Sequence, residues 1–157
     1  MNLVPSEFFV TSGSSVSDVS DLNAFDLALM EAGIEEQNLV AVSSIIPPDA
    51  KLTEPKRLPM GAITHCVLAQ MRGRGGDMIS AGIGYAFRKD GYGGYVAEGH
   101  GFGDSESMRN ELYRKVKEME RTRNIELSEP VTIVRELEIP EGKFGCCIAS
   151  LVFTEYR

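Results

Sequence analysis

The sequence predicts an α+β domain in which two helices cover a mainly antiparallel β-sheet. Two stretches carry apolar residues at helical spacing, near residues 22–32 and 108–119. Between and after them, short apolar runs alternate with glycine-rich segments such as RGRGGD and RKDGYGG, a pattern typical of hairpins. A chain of 157 residues can bury one core without disulfides, so we expect a single domain over residues 1–157.

The N-terminal region is predicted to contain a short strand at residues 8–10 and then a helix. The serine-rich stretch between them, TSGSSVSDVSD, indicates a surface loop. Ser20 or Asp21 can cap the helix, and Gly33 can end it. Its buried stripe is expected to consist of Leu22, Phe25, Leu29 and Ala32. Asp26 falls on or beside this stripe, where a carboxylate needs a cation or water as its partner.

The segment NLVAVSSIIPPD, residues 38–49, predicts a buried strand that ends in two serines and two prolines. Pro47 and Pro48 cannot donate to a ladder, so the strand must stop near them. Two interpretations remain open at this point. The serines either cap or solvate a rigid turn, or Ser44 is a nucleophile aimed at the peptide bond that precedes it.

The remaining chain is predicted to form β structure around one more helix. Strands are expected at residues 60–71, 78–87, 92–98, 131–139 and 144–153, with the helix at about 105–123. Asp104 or Ser105 can cap this helix. Its buried positions are expected to be Met108, Leu112, Val116 and Met119.

Composition and charge exclude several classes of protein. The net charge of −7 at pH 7 argues against a nucleic-acid partner, since neutralising phosphates needs lysines and arginines on one face. No leader or long apolar segment is present, so we expect a soluble, cytoplasmic protein. Cys66, Cys146 and Cys147 suit neither a disulfide framework nor a zinc-type site. We therefore expect buried free thiols and no metal.

Three further side chains can carry chemistry. His65 can act as a general base, although a histidine in a strand more often packs against a sheet neighbour. His100 is expected in a glycine-rich loop directly after Glu98. Glu98 ends an apolar strand, where a carboxyl group can donate protons or form a structural ion pair.

Five segments occur together in a specific order and spacing. They are LNAFDLALMEAGI (22–34), NLVAVSSIIPPDA (38–50), LPMGA (58–62), GDMISAGIGYAF (76–87) and GGYVAEGHG (93–101). In this order they resemble the pyruvoyl-dependent arginine decarboxylases of archaea and some bacteria, from about residue 20 onward. The resemblance implies an αββα sandwich of mainly antiparallel sheets covered by helices. It also implies a homotrimer of αβ protomers with active sites between neighbouring subunits.

The resemblance also implies that the chain cuts itself. In this family the second serine of the pair attacks the carbonyl carbon of the first, and β-elimination then breaks the chain. Here this places the cleavage between Ser43 and Ser44, with Asn38 assisting, and gives a β chain of residues 1–43 and an α chain of residues 44–157. Loss of ammonia would leave a covalently bound pyruvoyl group at residue 44. This group can form an imine with the α-amine of the substrate, in place of pyridoxal phosphate.

The other site residues follow from the same resemblance. Glu98 matches the family's proton donor, and Asp26 matches its carboxylate for the guanidinium of arginine. Leu22 is expected beside the aliphatic part of the substrate. The implied reaction converts L-arginine to agmatine and carbon dioxide for polyamine synthesis. Two alternatives stay open: a pyruvoyl decarboxylase for histidine or lysine, and an unprocessed, non-catalytic binding subunit of the same fold.

Overall fold

The computed structural model describes residues 2–157, which form two helices and nine strands. In chain order the elements are β1 (Pro5–Ser17), α1 (Asp21–Ala32), β2 (Asn38–Ala41), β3 (Ile45–Ile46), β4 (Lys51–Leu52), β5 (Ile63–Arg74), β6 (Met78–Phe87), β7 (Gly94–Phe102), α2 (Ser105–Arg123), β8 (Val131–Glu138) and β9 (Phe144–Tyr156). Sheet A has the strand order β2-β5-β9-β1-β4, and sheet B has the order β3-β7-β6-β8. The predicted α+β sandwich is confirmed.

Three apolar layers hold the sandwich together. The central layer lies between the sheets and includes Phe8 from sheet A and Ile83 from sheet B. A second layer joins α1 to the outer face of sheet A, and a third joins α2 to the outer face of sheet B through Leu112. Ile83 and Leu112 are fully buried, and each side chain of this size stabilises the fold by roughly 2 kcal/mol. The order of layers is therefore helix, sheet, sheet, helix.

Helix α1 begins and ends where the sequence predicts, but its buried face differs. The Ser20 hydroxyl accepts a hydrogen bond from the Asn23 amide at 3.1 Å, and Gly33 ends the helix with a φ of 81°. The buried residues are Ala24, Ala28, Leu29 and Ala32. Leu22 is 62% exposed, so its predicted place in the buried stripe is wrong. Alanines face the sheet instead, which lets the helix backbone approach it closely.

The predicted serine-rich loop is wrong, because the 13-residue strand β1 continues into it as far as Ser17. Its serines pair with β9 as far as Ser17 opposite Phe144. Small residues are required here because α1 crosses this strand. A Cβ at Gly13 would lie 2.3 Å from the Ala28 carbonyl oxygen, too close for any side chain. Close packing against a helix therefore explains a composition that resembles a loop.

The later elements agree more closely with the sequence. The predicted bounds of β6 and α2 are confirmed. At the start of α2, the Asp104 carboxylate accepts a hydrogen bond from the Ser107 amide. Strand β7 extends to Phe102, so His100 lies within a strand and its predicted loop position is wrong. The apolar run at residues 39–42 does not form a buried strand either. Residues 39–41 instead belong to β2, a strand at the edge of sheet A in which Val40 is 41% exposed.

The three thiols are buried and free, as predicted. Burial raises the pKa of both Cys146 and Cys147 to about 12, which leaves them protonated and unreactive near neutral pH. Within residues 2–157, no helix is both long enough and apolar enough to span a bilayer.

Candidate active site

Residues 42–44 connect the edge of one sheet to the edge of the other. They leave β2 at the edge of sheet A and enter β3 at the edge of sheet B. On one side, the Val42 amide donates to the Cys66 carbonyl at 2.9 Å. On the other side, the Val96 amide donates to the Ser44 carbonyl at 2.9 Å. The peptide bond between Ser43 and Ser44 therefore lies between two backbone anchors.

A rigid turn follows this junction. Ile46 pairs with Gly94 in β7, and the Ala50 amide donates to the Pro47 carbonyl at 3.3 Å. A Cβ at Gly93 would lie 2.5 Å from the Ile46 carbonyl oxygen, so only glycine permits this approach. The two prolines cannot extend the ladder with β7. Strand β3 therefore stops opposite Gly94, and because β3 has only two residues, the C-terminal part of the β7 edge stays unpaired.

An open cleft of about 400 Å³ lies at this edge, and we refer to it as the charged cleft. It is lined by Ser43, Ser44, Val96, Ala97, Glu98, Lys115 and Met119. Ser43 is exposed and Ser44 is half-buried. The structure thus brings three residues singled out from the sequence, Ser43, Ser44 and Glu98, to one cleft.

Glu98 lies on β7 just beyond the residues that pair with β3. Val96 packs in the layer between the sheets, so the side chain of Glu98, two residues later, projects from the same face of the strand. Burial raises the pKa of the Cys66 thiol to about 11, and the negative charge of Glu98 adds to this rise. The carboxylate of Glu98 is thus close enough to the buried Cys66 to raise the pKa of its thiol.

Lys115 reaches the charged cleft from α2. Its ammonium donates to the backbone carbonyl of Glu98 at 2.8 Å and lies 3.1 Å from the Glu111 carboxylate. The Glu111 carboxylate packs over Gly99, where an added Cβ would lie 2.6 Å from its Oε2 atom. The Glu111–Lys115 pair is therefore fixed against β7 beside the proton donor that the sequence predicts.

A second cleft, of about 460 Å³, also reaches Ser43, and we refer to it as the apolar cleft. It is lined by Leu3, Val4, Pro5, Val42, Ser43, Ile45, Pro47, His65, Phe153 and Tyr156. Nδ1 of His65 is hydrogen-bonded to the Tyr156 hydroxyl at 2.6 Å. Burial raises the pKa of the Tyr156 hydroxyl. His65 therefore contacts a sheet neighbour, which is the more common of the two roles considered for it.

Asn38 lies at the start of β2 and forms hydrogen bonds to the LPMGA segment. Its side-chain amide donates to the Gly61 carbonyl, and its backbone amide donates to the Ala62 carbonyl, both at 2.9 Å. The Gly61 amide in turn donates to the Glu36 carbonyl at 2.7 Å. These bonds fix the strand that leads to Ser43.

Asp26 and Leu22 lie apart from the charged cleft in the chain as described. Both are on the exposed face of α1, which covers the far side of sheet A. Leu27 and Met30 are also exposed on this helix, at 38% and 50%. A single chain therefore does not bring these two predicted substrate-binding residues to Ser44.

Four cleft residues, Val96, Ala97, Lys115 and Met119, were not predicted from the sequence as site residues. Met119 was expected only as a buried position of α2, and it is half-buried. Lys115 and Glu111 have the i,i+4 spacing of an ordinary surface ion pair, so the sequence gives no separate signal for them. In the described range, 2–157, no three His, Cys, Asp or Glu side chains cluster in an arrangement that could hold a metal ion.

Comparison with known proteins identifies the family. The family model described as "Pyruvoyl-dependent arginine decarboxylase" matches residues 7–157. The chain belongs to this family. The match begins at residue 7, further towards the N-terminus than the expected limit near residue 20.

Curated relatives agree over nearly the whole chain. The pyruvoyl-dependent arginine decarboxylase of Methanothermobacter thermautotrophicus is 36% identical over 147 residues, which cover 93% of this chain and 95% of the relative. That of Methanopyrus kandleri is 35% identical over 150 residues, covering 96% and 97%. Pyruvoyl-dependent arginine decarboxylase 2 of Archaeoglobus fulgidus is 34% identical, covering 98% of this chain and 99% of its own length.

Membership of the pyruvoyl-dependent arginine decarboxylase family implies a covalently bound pyruvoyl group rather than pyridoxal phosphate. The residues of the charged cleft fit such a group. Ser44 is half-buried, its carbonyl accepts a hydrogen bond from the Val96 amide, and the carboxyl group of Glu98 and the ammonium of Lys115 line the same cleft. A serine at residue 44 can thus be converted in place, next to groups that can handle protons and charge.

Proposed function

We propose that this chain is a self-processing arginine decarboxylase in which one domain, residues 1–157, is cut between Ser43 and Ser44. The products would be a β chain of residues 1–43 and an α chain of residues 44–157. The observation that carries the proposal is the position of the serine pair. It lies on an anchored crossover in the same cleft as Glu98 and Lys115, in a chain of this family.

Cleavage begins when the Ser44 hydroxyl attacks the carbonyl carbon of Ser43, so that the amide becomes an ester and the nitrogen of residue 44 becomes a free amine. Removal of the α-proton of residue 44 then expels the ester oxygen. This leaves a carboxylate on Ser43 and a dehydroalanine, which takes up water and releases ammonia. The anchors at Val42 and Val96 support this step, because holding both sides of the bond limits the motion lost on reaching attack geometry.

The pyruvoyl group would supply an electron sink for the pair of electrons left by the carbon-carbon bond that breaks when carbon dioxide leaves. The proposed task of Glu98 is to protonate the substrate carbon afterwards, from a position in the same cleft as residue 44. Asn38 is proposed to assist cleavage by fixing the strand before Ser43 through its bond to Gly61.

Recognition of the guanidinium is proposed to require a neighbouring subunit. Asp26 can pair with a guanidinium in bidentate fashion, and Leu22 can contact the substrate's methylenes, but both lie on the outer face of α1. That face also exposes Leu27 and Met30, which suits contact with another chain. The family resemblance implies a homotrimer of αβ protomers, and we propose that in it the α1 helix of one protomer completes the charged cleft of the next.

The natural substrate is proposed to be L-arginine, and the product agmatine. The relatives named above carry this activity in their names. The three free cysteines fit a reducing, cytoplasmic setting.

The test is the intact mass of the purified chain under denaturing conditions, followed by carbon dioxide release from arginine, histidine and lysine. The proposal expects two fragments that meet at residues 43 and 44, the larger with a keto group in place of its amine, and release from arginine alone. An uncut chain after long incubation would support the binding-subunit alternative. A cut chain that prefers histidine or lysine would overturn only the substrate.

A further inference from the structure

The charged cleft contains one group that neither cleavage nor proton donation uses, the ammonium of Lys115. Two of the other lining residues are serines, and three are the apolar Val96, Ala97 and Met119. Glu98 provides the negative charge. Among the lining residues in the described part of the chain, Lys115 is the sole cation.

This ammonium is held in place and still has capacity for a ligand. It donates to the Glu98 carbonyl at 2.8 Å, and it pairs with the Glu111 carboxylate at 3.1 Å. A lysine ammonium has three N–H donors, so these contacts leave one donor free. The side chain is 45% exposed, which leaves the ammonium open to the cleft.

The charge of Lys115 discriminates between the two ends of the substrate. Arginine carries a carboxylate at one end and a guanidinium at the other. A fixed cation in a cleft attracts the first and repels the second. The apolar side chains of Ala97 and Met119, which lie on the α2 side of β7, lower the competition from water for that contact.

We infer that Lys115 binds the α-carboxylate of the substrate and so orients it in the charged cleft, with the guanidinium directed away. This inference rests on the proposed decarboxylase function and adds a substrate-positioning residue to it. It also agrees with the proposal that Asp26 of a neighbouring protomer binds the guanidinium, with that carboxylate completing the cleft at the end away from Lys115. Glu111 acts indirectly, by holding the ammonium at the edge of β7.

The test compares ligands with and without a carboxylate in the Lys115→Met variant, which keeps an unbranched apolar side chain. Calorimetry on the processed enzyme would measure binding of the 2-hydroxy analogue of arginine, which keeps the carboxylate and guanidinium and has no α-amine. We expect its affinity to fall about tenfold, while the affinity for agmatine, which lacks the carboxylate, stays within about twofold. The KM for arginine is expected to rise by a similar factor.

Two variants serve as controls. Lys117→Met removes a neighbouring lysine of α2 that pairs with Glu120 outside the cleft, and it should change neither affinity. Lys115→Arg keeps the charge and should recover most of the binding of the hydroxy acid. Equal losses for both ligands would mean that Lys115 only shapes the cleft, and no loss for either would mean that it does not contact the substrate. Both results overturn the inference. If the unmodified chain stays uncut or does not release carbon dioxide from arginine, it is the proposed function that fails. The intact mass and the carbon dioxide release of the unmodified chain therefore distinguish that failure from a failure of the inference about Lys115.

Discussion

The charged cleft and the apolar cleft share Ser43 in their linings but offer opposite environments. The first combines the serine pair with Glu98 and Lys115 at the open edge of β7. The second is lined mostly by aliphatic and aromatic side chains, and its imidazole is already bonded to Tyr156. A reaction that creates and neutralises charge needs groups that hold and move protons, so the difference assigns the proposed chemistry to the charged cleft.

The largest effect should come from Ser44→Ala, which removes the residue from which the reactive group is proposed to form. We expect a chain of full-length mass and no release of carbon dioxide from arginine. Ser43→Ala is the matched control, because it keeps both the carbonyl that is attacked and the hydroxyl that attacks it. A Ser44→Ala chain that is still cut at this bond would contradict the proposed cleavage.

The next largest effect should come from Glu98→Gln, which removes the proposed proton donor from the charged cleft. The variant should still cut itself, while kcat falls by about 10²- to 10³-fold, the range typical of losing a general acid. Steady-state rates and intact mass measure the two properties separately. Glu106→Gln, in the first turn of α2 and outside both clefts, should behave like the unmodified enzyme. Normal turnover by the Glu98 variant would remove this residue from the mechanism.

Asp26→Asn asks whether helix α1 supplies the group that binds the guanidinium. Loss of a charge-assisted pair should raise the KM for arginine by about tenfold or more, with cleavage unaffected. Glu31→Gln is the control on the same helix, since Glu31 pairs with Arg135 at 2.7 Å instead. An unchanged KM in the Asp26 variant would show that another group binds the guanidinium.

The smallest effect is expected from Tyr156→Phe, which removes the hydroxyl that contacts His65 in the apolar cleft. Because this contact lies in the apolar cleft, away from the charged groups, kcat/KM should change by less than about threefold. A loss comparable to that of the Glu98 variant would show that the apolar cleft takes part in the chemistry, and the contrast between the clefts would fail.

Local sequence signals predicted a large part of this structure. The caps of α1 at Ser20 and Gly33, the cap of α2 at Asp104 and the bounds of β6 depend on residues close in the chain, and the structure confirms them. The serine pair and the prolines also form a local motif, so the sequence alone predicts that the chain turns directly after these serines.

The errors concern residues whose environment is set from a distance. The serines of β1 lie in a strand because β9 pairs with them and α1 crosses them at Gly13, contacts that no local window contains. Leu22 was placed in the core by its spacing, but the alanines of α1 face sheet A instead. Helical spacing groups residues on one face and does not say which face a sheet will cover.

The fold class, the two helices and the junction at Ser43 and Ser44 can be predicted from the sequence, because periodicity, caps and proline geometry act within a few residues. Two features depend on how the elements pack: Lys115 joins Ser44 and Glu98 in one cleft, and Asp26 lies outside the cleft of its own chain. The physical reason is that packing α2 on sheet B and α1 on sheet A fixes distances between side chains far apart in the chain, which no local preference encodes.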